Sequence, residues 1–211
     1  MQRIINSSLR SSVHHEQTGA LWRLSDIFLE YIPFDHENNI IFCCIGTDRS
    51  TGDALGPLTG SFLSSFHSFP FEVIGTLENP LHAINLASTI EEIQQKPTTP
   101  FVVAIDACLG NERNVGEIIV HEGPLFPGKA VKKELPPIGD ISIKGIVNVG
   151  GFMEMLVLQN TRLNVTYSMS NKIARALLLA WQRHLLKKKH DSNNETDYND
   201  TRQQIGYSNF S

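Results

Sequence analysis

Two uninterrupted apolar runs organise the chain, residues 41–45 (IFCCI) and 101–105 (FVVAI). The first is followed by a polar segment and then by a stretch with apolar residues at helical spacing, the second by an acid and a Gly- and Asn-containing loop. Continuous Val/Ile-rich runs separated by helical patterns predict parallel strands covered on both faces. After the first run, Gly46 breaks the strand and a polar loop follows: Thr47, Asp48, Arg49, Ser50, Thr51 and Gly52. Asp53 then opens a helical pattern over residues 53–66 that carries Ala54, Leu55, Leu58, Phe62 and Leu63. The second run is bounded by Asp106. The ends of such strands are where open α/β sheets place their ligands.

The remaining pattern supplies the other elements. Leu21, Leu24, Ile27, Phe28 and Ile32 predict an amphipathic helix over 17–32, ended by Pro33. A strand is predicted over 71–76 and a helix over 81–95. A further strand is predicted over 117–121. The Pro/Gly-containing segment 122–139 offers a short strand at 130–134. A strand over 141–149, a break at Gly150 and Gly151, a helix over 152–159 and a short strand over 163–167 follow. The last helix is predicted over 168–186, capped by Ser170, with Ile173, Ala176, Leu177, Ala180, Trp181 and Leu185 as its buried stripe. The sum is an α/β fold: three layers, a mostly parallel sheet flanked by helices. The expected organisation is a flexible arm over 1–16, one domain over 17–186 and a disordered polar tail over 187–211.

Composition narrows the function classes. A chain of 211 residues with 41% hydrophobic content suits one domain with a substantial core. The formal net charge of -4 gives no field favouring nucleic acid. No stretch is apolar enough to span a membrane, and no signal-peptide pattern opens the chain. With three cysteines, two of them adjacent, a disulfide framework is not indicated. These points together predict a cytoplasmic protein.

The candidate chemistry lies in the acids. If the two strands are neighbours, Asp53 and Asp106 come to the same sheet edge. Two carboxylates that close cannot both ionise cheaply, so they hold one proton between them and act as acid and base on water. With a third ligand they would hold a metal instead. Asp53 also has a purely structural reading, as a helix N-cap. The loop is not a phosphate cradle, since Asp53 stands where G-x-x-x-x-G-K-[ST] needs Lys. No G-x-S-x-G elbow surrounds Ser50, and Cys44 lies inside an apolar strand. Asp48 and Arg49 are expected to pair or to orient substrate.

The segments CIGTDRSTGDALGP (44–57), VVAIDA (102–107) and NVGGFMEM (148–155), taken together, resemble the YyaC-like sporulation protein family, DUF1256. The likeness covers roughly residues 38–186. More distantly the chain is similar to the spore germination protease and to the hydrogenase maturation proteases. The resemblance implies a phosphorylase/hydrolase-like α/β fold and an aspartic-type peptidase with Asp53 and Asp106 as catalytic residues. Asp48, Arg49, Asn148, Gly150 and Gly151 would bind substrate, with Asn148 donating to the oxyanion. In the maturation proteases a His serves as third metal ligand where Asn148 stands here, so no metal and no cofactor are expected. His121 is the remaining histidine with a route into the site.

The implied substrate is a protein or peptide, with small acid-soluble spore proteins as the example, and the implied setting is the forespore or mother cell. Neither nucleic acid nor membrane is expected as a partner, and a homo-oligomer is compatible with this reading. Two alternatives stay open: a catalytically silent spore binding or structural protein, and a metal-dependent maturation endopeptidase.

Overall fold

The computed structural model describes residues 10–127 and 135–207, without the side chains of 37, 38 and 193–207. Its elements, in chain order, are β1 (Arg10–His14), α1 (Ala20–Tyr31), β2 (Ile40–Cys44), α2 (Leu55–Ser65), β3 (Glu72–Ile74) and α3 (Leu86–Gln94). There follow β4 (Phe101–Gly110), β5 (Glu117–Glu122), β6 (Ile141–Val149), α4 (Glu154–Gln159) and α5 (Leu163–Tyr207). The six strands form one sheet in the order β1-β5-β6-β4-β2-β3. β6, β4, β2 and β3 run parallel, while β5 is antiparallel to both its neighbours. The predicted mostly parallel α/β sheet is therefore present.

Side-chain alternation explains the layers. Ile40, Phe42 and Cys44 of β2, with Val103 and Ile105 of β4, enter one core with α1, α2 and α5. Ile41, Cys43, Val102 and Ala104 point the other way, into a smaller core with Leu81, Leu86, Ile93, Leu125 and Ile138. β2 is buried along its whole length, which is why it shows no alternation in the sequence. α1 buries Ala20, Leu24 and Phe28 against α5, whose predicted stripe is buried from Ile173 through Ala176, Leu177 and Ala180 to Trp181, while Leu185, also expected in it, is exposed.

Several boundaries differ from the sequence expectation. Residues 10–14, assigned to a flexible arm, form an antiparallel edge strand that buries Val13. β4 does not stop at residue 105: pairing with the long β6 carries it through Asp106 to Gly110, with a register shift between Cys108 and Leu109. Residues 163–167, expected as a strand, are the first turns of α5. There Tyr167 meets Phe62 of α2 edge to face, at 5.4 Å between ring centroids, and tertiary contact overrides local β preference. Ser170 is consequently inside the helix, not at its cap. Its hydroxyl reaches Thr166 O (2.8 Å) and, across to α2, Leu55 O (2.9 Å). The helical backbone shows no break at residue 187 and continues to Tyr207, with Lys187 through Ser192 exposed. The short strand expected over 130–134 and residues 208–211 lie outside the described residues.

Candidate active site

The site forms at the end of β2 and alongside the middle of β4 and β6, on the face that carries α3. Ile45 N–H donates to Ile105 O at 2.7 Å, and Gly46 N–H to Leu81 O at 2.8 Å, so the β2 end is fixed from both sides. Gly46 has φ of 147°, a region that favours glycine, and a Cβ there would run into the Asp53 carbonyl. Thr47 N–H donates to that same carbonyl at 3.2 Å. The polar loop thus leaves the strand and returns, bringing Asp53 back beside Gly46. Its outer side is tied to α4 by Gly52 N–H to Leu158 O (2.9 Å) and Thr51 Oγ1 to Gln159 O (3.4 Å).

Asp106 arrives from β4. It follows Val102 and Ala104 in alternation and so faces the same side of the sheet. Its Oδ1 accepts the Ala107 N–H at 2.8 Å. Directly across the parallel strand pair stands Lys144 of β6. Asp53, Asp106 and Lys144 all line one cleft of about 380 Å³. Ile45, Leu109, Leu125, Phe126, Leu135 and Leu158 make its apolar wall, and Thr47, His82, Cys108 and Glu154 add polar groups.

Electrostatics separate the two acids. Burial pushes the Asp106 carboxyl up, and the neighbouring Asp53 pushes it further, to about 8. The Ala107 N–H and Lys144 pull in the opposite direction without cancelling the rise. Asp53 is also raised by burial. The adjacent Ser50 hydroxyl moderates this, although it is buried and makes no hydrogen bond of full geometry. Near neutral pH, Asp106 holds its proton. Cys108, two residues along the same face, is pushed up to about 11 by burial and by Asp106, so its thiol is no nucleophile. Cys43 and Cys44 are buried and raised as well. Asp53 does not cap α2: the N-cap is Ala54, with no side-chain capping bond.

Of the expected substrate-binding residues, none lines the cleft. Asp48 and Arg49 lie exposed on the outside of the loop. Gly150 is pinned by its N–H to Gly110 O (2.8 Å), and Gly151 is exposed. Asn148 Oδ1 accepts its neighbour's Val149 N–H (2.8 Å), and its Nδ2 donates to Thr161 Oγ1 (3.2 Å) and toward Val157 O (3.5 Å). The amide is occupied at the junction of α4 and α5, so the oxyanion role expected for Asn148 finds no geometric support. His121 sits on β5 opposite Arg10 and Ser142, outside the cleft wall.

Two residues that sequence reasoning misses take their place. Lys144 is a lone charge inside an apolar strand, and that is the available signal. His82 lies in the loop after β3, whose end shares the sheet edge with those of β2 and β4. Its Nδ1 is buried without a hydrogen-bond partner. So a histidine does reach the cleft, from a segment with no motif to announce it. Even so, among the described residues no cluster of three or more His, Cys, Asp and Glu side chains is set to hold a metal ion. With Asn148 turned away and a lysine opposite Asp106, the donor set does not fit the metal of the maturation proteases. Also among the described residues, no helix is long and apolar enough to cross a membrane.

Comparison with known proteins supplies the relationships. A hydrogenase maturation protease for NiFe hydrogenase, HycI from Thermococcus kodakarensis KOD1, superposes with a TM-score of 0.49 at 19% identity. The match covers 74% of this chain and 99% of that one. The uncharacterized protein YyaC of Bacillus subtilis (strain 168) is 45% identical over 171 residues, covering 81% of this chain and 83% of its own length. A family model described as a protein of unknown function, DUF1256, matches residues 12–176, and the chain belongs to that family.

Proposed function

We propose that the protein is a peptidase with a two-aspartate site, acting on a protein or peptide substrate. The observation that carries this reading is that Asp53 and Asp106 line one cleft, where burial and the neighbouring Asp53 push the Asp106 carboxyl up to about 8. In the reaction, Asp53 takes a proton from water as the water oxygen bonds to the peptide carbonyl carbon. Asp106 gives its proton to the departing amine as the C–N bond breaks. One proton is accepted and one is donated, so the pair ends with its charge unchanged and resets by exchange with solvent. Neither carboxyl is consumed by structure: Asp106 accepts a single backbone N–H, and Asp53 caps no helix. That favours an enzyme over a silent relative. The similarity to the germination protease noted above makes small acid-soluble spore proteins the first substrates to try, and sporulating cells the setting.

The test is cleavage of purified small acid-soluble spore proteins by the wild type, Asp53→Asn and Asp106→Asn, each with and without a chelator. The expected result is cutting by the wild type, loss of about three orders of magnitude or more in each variant, and no effect of chelator. Cutting that survives both substitutions overturns the proposal.

A further inference from the structure

Lys144 needs an explanation of its own. β6 is otherwise apolar or small from Ile141 to Val147, and its neighbours Ile143, Gly145 and Ile146 are buried. A lysine within such a strand is costly to desolvate unless an opposite charge faces it. The register sets it opposite Asp106, and both side chains line the cleft. No salt bridge joins the two within 4.0 Å among the described residues. The ammonium is thus near the acid without being locked to it, as suits a site in which Asp106 is neutral at rest.

Resting on the two-aspartate reading, we propose that Lys144 is the built-in cation of the site, a positioning residue that stabilises the Asp106 carboxylate formed when Asp106 gives up its proton. The Asp106 O–H bond breaks, the proton goes to the leaving amine, and the negative charge left on Asp106 develops opposite the Lys144 ammonium. A metal ion in a comparable cleft would meet the same need with its own charge; here a side chain fixed by strand pairing does so. Low local dielectric makes a fixed positive charge effective, because little solvent reorganises during proton transfer. The other groups facing Asp106 do not supply it. Asp53 and Glu154 are acids, Cys108 stays a neutral thiol, and His82 comes from a loop, whereas strand register places Lys144 directly opposite Asp106.

The test needs no substrate, so its outcome is separate from whether peptides are cut. Carboxyl carbons of 13C-aspartate-labelled protein are titrated by NMR, with Asp106 assigned through Asp106→Asn. The midpoint of Asp106 is followed in the wild type, Lys144→Met and Lys144→Arg. The expected result is an upward shift of about one pH unit or more in Lys144→Met, a tenfold weaker acid, and a return toward the wild-type midpoint in Lys144→Arg. A shift restored by Arg is not produced by loss of packing alone. In parallel, the Lys144 15Nζ resonance of the wild type is followed over the same range, which needs no variant to fold. It should move with the Asp106 midpoint. A Lys144 resonance that ignores the ionisation of Asp106, or an unmoved Asp106 midpoint in folded Lys144→Met, overturns the proposal.

Discussion

The α-carbon of Gly56 rests against the backbone carbonyl of Ile45, so closely that a Cβ on residue 56 would overlap that oxygen. This contact seats the first turn of α2 on the end of β2, and the loop carrying Asp53 lies between the two. Gly56→Ala forces backbone away from backbone, which a flexible side chain cannot absorb. We expect a loss of about 2–3 kcal/mol, read by urea denaturation. The Asp106 midpoint should also fall, because a displaced loop carries Asp53 away from it. A Gly56→Ala protein of wild-type stability would show that the seat is looser than described.

Asp106 makes the opposite prediction. An acid whose folded pKa is raised costs stability once the unfolded chain ionises. The ordinary carboxyl value is 3.8 and the folded one is about 8. Below the first, both states hold the proton and nothing is lost. Between the two, the folded state binds more protons than the unfolded one, so stability falls as pH rises, and above about 8 the cost is constant. Asn keeps the acceptor for the Ala107 N–H without the ionisation. Asp106→Asn should therefore melt about 2–8 °C higher than wild type at pH 8, equivalent to about 1–3 kcal/mol after allowing for solvent at the cleft mouth. The gain should vanish near pH 3.5. A pH-independent difference in calorimetric Tm would mean that the carboxyl is not raised.

How much of this is legible in the sequence differs residue by residue. Ile41 through Ile45 and Phe101 through Ile105 betray buried parallel strands because both of their faces are covered. That pattern brings Asp53 and Asp106 together only if the two strands are neighbours, and the pairing of β2 with β4 meets the condition. The strand over Arg10–His14 stays hidden because it buries only Val13 and keeps the rest at the surface, a pattern shared with loops. β4 runs past its expected end because its length is set by β6, a partner distant in sequence. Lys144 shows only as a lone charge in an apolar strand, and His82 not at all, because pairing with β4 and the path of the loop after β3 are what bring them to the cleft. Conversely, Asn148 looks functional because of its neighbours in the sequence, whereas its amide is spent on Thr161 and Val149.

That contrast yields the last prediction. Asn148 makes three polar contacts where β6 passes into α4 and α5, and it lies outside the cleft wall. Asn148→Ala leaves the Val149 N–H without its partner. Thr161 loses the amide but keeps its own bond to Val157 O at 2.9 Å. The exposed Val149 N–H turns to water, and the tie from β6 to the connection between α4 and α5 is lost, which should cost about 0.5–1.5 kcal/mol of stability. An oxyanion donor behaves differently: its removal lowers kcat by about a hundredfold or more with little change in folding. We expect denaturation midpoints to fall while kcat, measured well below the melting range, changes by far less than that. A hundredfold drop in kcat with unaltered stability would return Asn148 to the cleft and require its amide to turn toward the substrate.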